Sequence, residues 1–183
     1  MRSDDELYNA FRTGDGTAYD ELMLRHGDDL LIYINGYTHN LYDAEDLMIE
    51  AFARIMVKKP AIREGNFKAY LFRTGRNLAS RFHSKLLRMD VFSMEDLQSE
   101  LTDGNLTEDI VWDSQKNAIL RVCLERIDPK QREALWLVYY EGMTYEQAGE
   151  VMGVSAGKID KLLAKGKQLM REELGKEGVT SSF

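Results

Sequence analysis

Four lysines and a serine near the C-terminus are spaced to meet a polyanion. Lys158, Lys161, Lys165 and Lys167 share one helical stretch, and Ser155 stands just before it. Ammonium groups on one face of a helix neutralise phosphates and reach base edges when that helix lies in a DNA major groove. The preceding residues supply the rest of a helix-turn-helix. Thr144 can cap a short helix whose apolar face is Ala148, Val151 and Met152. Gly149 is small where two helices must cross closely, and Gly153 suits a left-handed turn. Ser155 then caps the next helix, with Ile159, Leu162, Leu163 and Leu169 pointing inward. Thr144 and the first amides of either helix would hold phosphates. An amphipathic hairpin with solvated lysines shows the same pattern, so this stretch alone leaves both readings open.

A second basic concentration lies upstream. Residues 58–88 carry 9 basic side chains and 1 acidic one. Lys58, Lys59, Arg63, Lys68, Arg73, Arg76, Arg81, Lys85 and Arg88 can neutralise phosphates, and Phe67, Tyr70 and Phe72 are interleaved. An exposed aromatic stacks on an unpaired base, worth about 1–3 kcal/mol per base. Helical spacing equally suits Tyr70 and Phe72 to a core. The remainder is acidic. Residues 1–57 hold 12 acidic and 4 basic side chains, residues 89–111 hold 7 and none, and the chain as a whole carries −7. Screening over about 8 Å at physiological salt lets a local basic face act apart from distant acid.

Positioning these groups requires helices. Two prolines in 183 residues, with Leu, Met, Ala, Glu and Lys at helical spacing, predict an all-α chain. The expected architecture is two small helical domains joined by an acidic linker, the C-terminal one a helix-turn-helix. Residues 1–88 form the first domain. Ser3 caps a helix to about Thr13, the GDG at 14–16 breaks it, and a second helix runs from about Thr17 to Tyr37. Asp43 is expected to cap a third helix, together with Asp46 in a D-x-x-D arrangement, with Leu47, Ile49, Ala51, Phe52, Ile55 and Met56 as its apolar face. Lys59-Pro60 ends it, and Asn66 caps a fourth helix. Residues 89–111 read as a linker. Residues 112–175 read as the second domain, with a helix from Trp112 to Arg126 and another from Pro129 to Tyr140, capped by Asp128. Residues 176–183 are a tail.

Catalytic constellations are not evident. His26, His39 and His83 have no partner at metal-ligand spacing, and each reads as a surface or capping residue. No glycine-rich phosphate loop follows a strand, so neither a metal nor a cofactor is expected. The single cysteine, Cys123, allows no disulfide within the chain and favours a reducing cytoplasm. The polar, acidic start MRSDDELYNAF argues against a signal peptide, and the apolar runs are too short to insert in a bilayer.

Three blocks in order carry a resemblance: DAEDLMIEAFARIM, then FKAYLFRTGRNLASRFHSK, then RIDPKQREALWLVYYEGMTYEQAGEVMGVS. Together they resemble the extracytoplasmic-function group of bacterial sigma factors, along nearly the whole chain. The resemblance implies transcription initiation at chosen promoters, with RNA polymerase core and promoter DNA as partners, and an anti-sigma protein as a regulator. It implies that the third helix docks on a basic coiled coil of the largest polymerase subunit, through Asp43, Glu45, Asp46 and Glu50, with Leu47, Phe52 and Ile55 as apolar anchors, although helical spacing favours a core place for Leu47 and Ile55. It places −10 recognition and melting on Lys58, Arg63, Asn66, Lys68, Arg73, Arg76, Asn77 and Arg81, and −35 recognition on Thr144, Ser155, Lys158, Lys161 and Lys165. The seven linker carboxylates would mimic nucleic acid in the polymerase channel. Gly149, Asp160, Leu162, Gly166, Tyr70, Thr74-Gly75 and Arg81 depart from the family pattern. The alternative reading is a stand-alone helix-turn-helix regulator that binds DNA without polymerase.

Overall fold

The structure is a computed structural model that describes residues 1–93 and 126–176. The expected helix 112–126 with Cys123, the linker beyond residue 93 and the tail beyond 176 lie outside the described residues. The described elements are all helical, and the chain divides into two units, Met1–Leu106 and Thr107–Phe183.

In the first unit, α1 spans Asp4–Arg12. Ser3 and Glu6 close a capping box: the Ser3 hydroxyl accepts from the Glu6 amide at 3.2 Å, and the Glu6 carboxylate accepts from the Ser3 amide at 2.7 Å. Gly14, at φ +116°, turns the chain, and Asp15 caps α2, Gly16–Thr38. His39 ends α2 in the left-handed region. Helix α3 spans Leu41–Lys58, and its cap is Asn40, not Asp43. The Asn40 side chain accepts from the amides of Tyr42 and Asp43, which places Asp43 inside the first turn. An acid is favoured there too, because of the helix dipole, and that is why the sequence pattern pointed three residues late. Lys59, left-handed, closes α3. Helix α4 spans Phe67–Ser93, so it runs five residues past the expected boundary at 88.

Helix α2 packs against α1, α3 and α4. The core is aromatic: Phe11 meets Tyr19 at 4.5 Å, Tyr8 meets Phe67 at 5.2 Å, and Tyr33 meets Phe72 at 5.2 Å between ring centres. The buried Tyr19 hydroxyl donates to the Phe52 carbonyl. Gly75 lets α4 approach α2, since a β-carbon there would stand 2.9 Å from Leu30 Cδ1. His26 is buried rather than surface-exposed: with Leu22 and Leu30 it occupies every fourth residue of the inward face of α2. Its Nε2 lies 2.7 Å from the Asp4 carboxylate.

In the second unit, Asp128 caps α5, Pro129–Leu135, by accepting from the Lys130 amide. The expected continuation to Tyr140 is helical, but Trp136–Tyr140 winds as one wider π turn. The Trp136 indole donates to the Glu141 carboxylate at 2.9 Å and stacks on Tyr140. Helix α6 spans Tyr145–Met152 and α7 spans Ala156–Lys176. Thr144 and Gln147 form a capping box on α6, and Gly153, at φ +68°, turns the chain between the two helices. The Ser155 hydroxyl accepts from the Lys158 amide at 3.3 Å. Ile159, Leu162 and Leu163 are buried as their spacing predicts, and Leu169 is half-buried.

Candidate functional site

Three surfaces collect the candidate residues, two on the first unit and one on the second. The first is the outer face of α3. Tyr42, Ile49 and Met56 recur every seven residues, so they stand in line along the helix, and they are 80%, 49% and 45% exposed. Val57 is exposed beside Met56. Glu45, Asp46 and Glu50 are exposed among them, and Asp43 is half-buried. Glu50 pairs with Arg54 one turn on, at 2.6 Å. Leu47 and Phe52 cannot serve as anchors for a partner: at 8% and 1% exposure they pack inward with Ala44, Ala51 and Ile55. The apolar side chains exposed on α3 are Tyr42, Ile49 and Met56, with Val57 beside them. Ile49 and Met56 were expected inside. Their seven-residue spacing, set off from the small Ala44 and Ala51, was the available signal.

The second surface is a groove between α3 and α4. Arg54, Ile55, Lys58, Tyr70, Thr74, Asn77 and Arg81 line it. On α4, Tyr70, Thr74, Asn77 and Arg81 recur at three or four residues and so share one face. Lys58, Asn77 and Arg81 are exposed, and Tyr70 is half-buried. A cationic rim around an amide and an aromatic ring suits a nucleobase with its phosphate. Of the eight residues expected at this surface, the groove unites Lys58, Asn77 and Arg81. Arg63 and Arg73 are exposed outside it. Asn66 is buried at the start of α4, its carbonyl accepting from the Tyr70 amide, so its role is in the turn and not in direct contact. Lys68 lies 5.7 Å above the Phe72 ring, and Arg76 is half-buried; spacing turns both to the other side of α4. Phe67 and Phe72 are core residues. Tyr70 and Arg54 join the site through tertiary packing.

The third surface is one flank of α7. Lys158, Lys161 and Lys165 are exposed at i, i+3 and i+7, and Ser155 and Thr144 are exposed at the starts of α7 and α6. Lys167 leaves this flank. Its ammonium lies 5.0 Å over the Tyr139 ring, and a hydrogen bond from it to Tyr139 raises its pKa. Leu162 is buried and Gly166 faces α5, which explains why neither is basic: a β-carbon on Gly166 would stand 3.1 Å from Leu135 Cδ1. Among the described residues there is no group of acids, histidines or cysteines arranged to hold a metal, and no helix long and apolar enough to cross a membrane.

Two family models match the chain. Sigma-70 region 2 matches residues 22–88, and sigma-70 region 4 matches residues 117–170. The chain is 32% identical to the ECF RNA polymerase sigma factor SigE of Mycolicibacterium smegmatis over 172 residues, covering 90% of this chain and 65% of that protein. It is 29% identical to the ECF RNA polymerase sigma factor BldN of Streptomyces coelicolor over 160 residues, covering 86% of this chain and 60% of that one. It therefore spans somewhat less than two thirds of the length of these relatives. Its fold is shared with CnrH, solved in complex with the cytosolic domain of CnrY, at a TM-score of 0.66 and 19% identity over 94% of this chain and 97% of that one. It is shared equally with RpoE of Bartonella quintana, solved with the anti-sigma factor NepR, at a TM-score of 0.66 and 22% identity over 86% and 96%.

Proposed function

Because the chain belongs to the extracytoplasmic-function group of the sigma-70 family of RNA polymerase sigma factors, we propose that it recruits core polymerase and directs initiation at chosen promoters. Its partners are then the polymerase core, promoter DNA and an anti-sigma protein, and its place of work is the cytoplasm. It supplies surfaces and no bond-making chemistry of its own.

The observation that carries this reading is the outer face of α3. An apolar line of Tyr42, Ile49 and Met56 set among Glu45, Asp46 and Glu50 suits a basic helical partner such as the coiled coil of the largest polymerase subunit. The acids steer the encounter, and the apolar line gains free energy from burial once the surfaces meet. A stand-alone helix-turn-helix regulator would need only the second unit and would leave this face unexplained.

The α3–α4 groove supports −10 recognition. A protein without a nucleotide fuel favours a melted strand by binding bases only after they leave the duplex. Tyr70 offers a ring face, Asn77 an amide, and Lys58 and Arg81 charge for the adjoining phosphates. Lys158, Lys161 and Lys165, with Ser155 and Thr144, support −35 recognition in the major groove.

Run-off transcription with purified bacterial core polymerase on a genomic promoter library tests the proposal. Specific transcripts are expected with the intact chain. Asp46→Lys with Glu50→Lys should abolish association with polymerase while helical content stays unchanged. Failure of the intact chain to associate with core polymerase would overturn the reading, however well it bound DNA.

A further inference from the structure

We propose that α1 is a brace that fixes residues 59–66, the segment joining the two walls of the α3–α4 groove, with Asp5 and Tyr8 as its positioning residues. This rests on the −10 role proposed for the first unit and adds a device to it. Helix α1 lies before residue 22, where the match to sigma-70 region 2 begins, so the brace is not part of the segment that match covers.

Asp5, Tyr8 and Phe11 recur every three residues and share one side of α1. Each reaches a different point of the segment between α3 and α4. The Asp5 carboxylate accepts from the Gly65 amide at 2.7 Å. The Tyr8 hydroxyl donates to the Pro60 carbonyl at 2.8 Å. The Phe11 ring lies 4.6 Å below the Lys59 ammonium. The segment is thus held at both ends. Both holding points adjoin left-handed residues, Lys59 at φ +44° and Gly65 at φ +72°, where the chain changes direction.

Between them Ala61, Arg63 and Glu64 are exposed. Asp5 and Tyr8 bind a backbone amide and a backbone carbonyl, so they set the path of the segment without touching the side chains it presents. The brace is itself anchored. Asp4 accepts from Arg25 at 2.6 Å and lies 2.7 Å from His26, and Arg2 pairs with Asp15 and Glu21, which tie α1 to α2. A groove whose two walls are fixed before a base arrives loses less freedom when it binds one.

The test uses the full chain in reconstituted holoenzyme, on a promoter recovered by the run-off screen, as closed duplex and with its −10 stretch already opened. Asp5→Ala and Tyr8→Phe should each weaken binding to the opened template about 3- to 10-fold, the worth of one hydrogen bond. They should slow opening of the duplex to match. Asp5→Asn, which keeps an acceptor oxygen, should recover most of the loss. Affinity for core polymerase should be unchanged, and the Gly65 amide should exchange hydrogen faster in Asp5→Ala while amides inside α2 do not. Tyr8→Phe removes one hydroxyl and keeps the packing, so it carries the test if Asp5→Ala unfolds. Normal binding of the opened template by Tyr8→Phe and Asp5→Ala, alongside a loss in Asn77→Ala with Arg81→Ala, overturns the brace and leaves the −10 reading standing. If the Asn77 and Arg81 substitutions also have no effect, the −10 reading falls and the brace falls with it.

Discussion

A β-carbon on Gly149 would stand 2.6 Å from the Val154 carbonyl oxygen, so the turn of the helix-turn-helix closes against bare backbone. The neighbour is main chain and cannot swing aside. Gly149→Leu should therefore destabilise the second unit by about 1–3 kcal/mol, read as a lower urea midpoint by Trp136 fluorescence. Gly166 looked from the sequence like a simple loss of helix propensity. The structure shows the compensation, because Leu135 and Gln131 of α5 press on that point of α7. Asp4 is a second residue with a measurable consequence. Burial pushes its carboxyl pKa up, but hydrogen bonds and charge from His26 and Arg25 outweigh that and hold it below the usual carboxylate range. A depressed folded pKa means that this stabilisation is present above about pH 4 and is lost as pH falls through the lower folded value. Asp4→Asn should lower stability at neutral pH by about 1 kcal/mol and should flatten the acid-side loss, as urea titrations at several pH values would show.

At the scale of elements, α3 has two faces that the sequence could not sort. Leu47, Ile49, Phe52, Ile55 and Met56 are all apolar and spread over more than half its circumference. Which of them is core depends on where α2 and α4 lie, and that is not written in α3. Phe52→Ala should cost about 3–5 kcal/mol in stability. Ile49→Ala with Met56→Ala should stay within about 0.5 kcal/mol of the parent in a thermal melt, yet weaken association with core polymerase at least about tenfold by titration. Helix α7 was more legible, because its buried leucines and exposed lysines occupy separate sides. Each of Lys158→Ala and Lys161→Ala should reduce the slope of log affinity against log salt by about 0.9 for −35 duplex bound by holoenzyme. The third helix cap was misplaced by three residues, from Asn40 to Asp43, because both types suit a helix start.

For the whole molecule, the charge segregation matters more than the net −7. On the proposed function, an acidic face for a protein partner and basic faces for DNA share one chain, so the free protein should be repelled by DNA as much as attracted. Fluorescence anisotropy at physiological salt should find the free chain no tighter on promoter duplex than about 1 µM, the range of non-specific binding, with the specific affinity appearing only in holoenzyme. Residue order alone was enough for the helical class, most of the caps, the glycine turn at 153 and the family to which the three blocks point. Those features depend on residues within one or two helical turns of each other, which periodicity and side-chain type record directly. Helix packing was needed to turn Ile49 and Met56 outward, to bury His26 against Asp4, to set Lys58 in one groove with Asn77 and Arg81, and to bring α1 onto residues 59–66. Each of these follows from which neighbouring helix covers which face, a long-range packing outcome that no local spacing encodes.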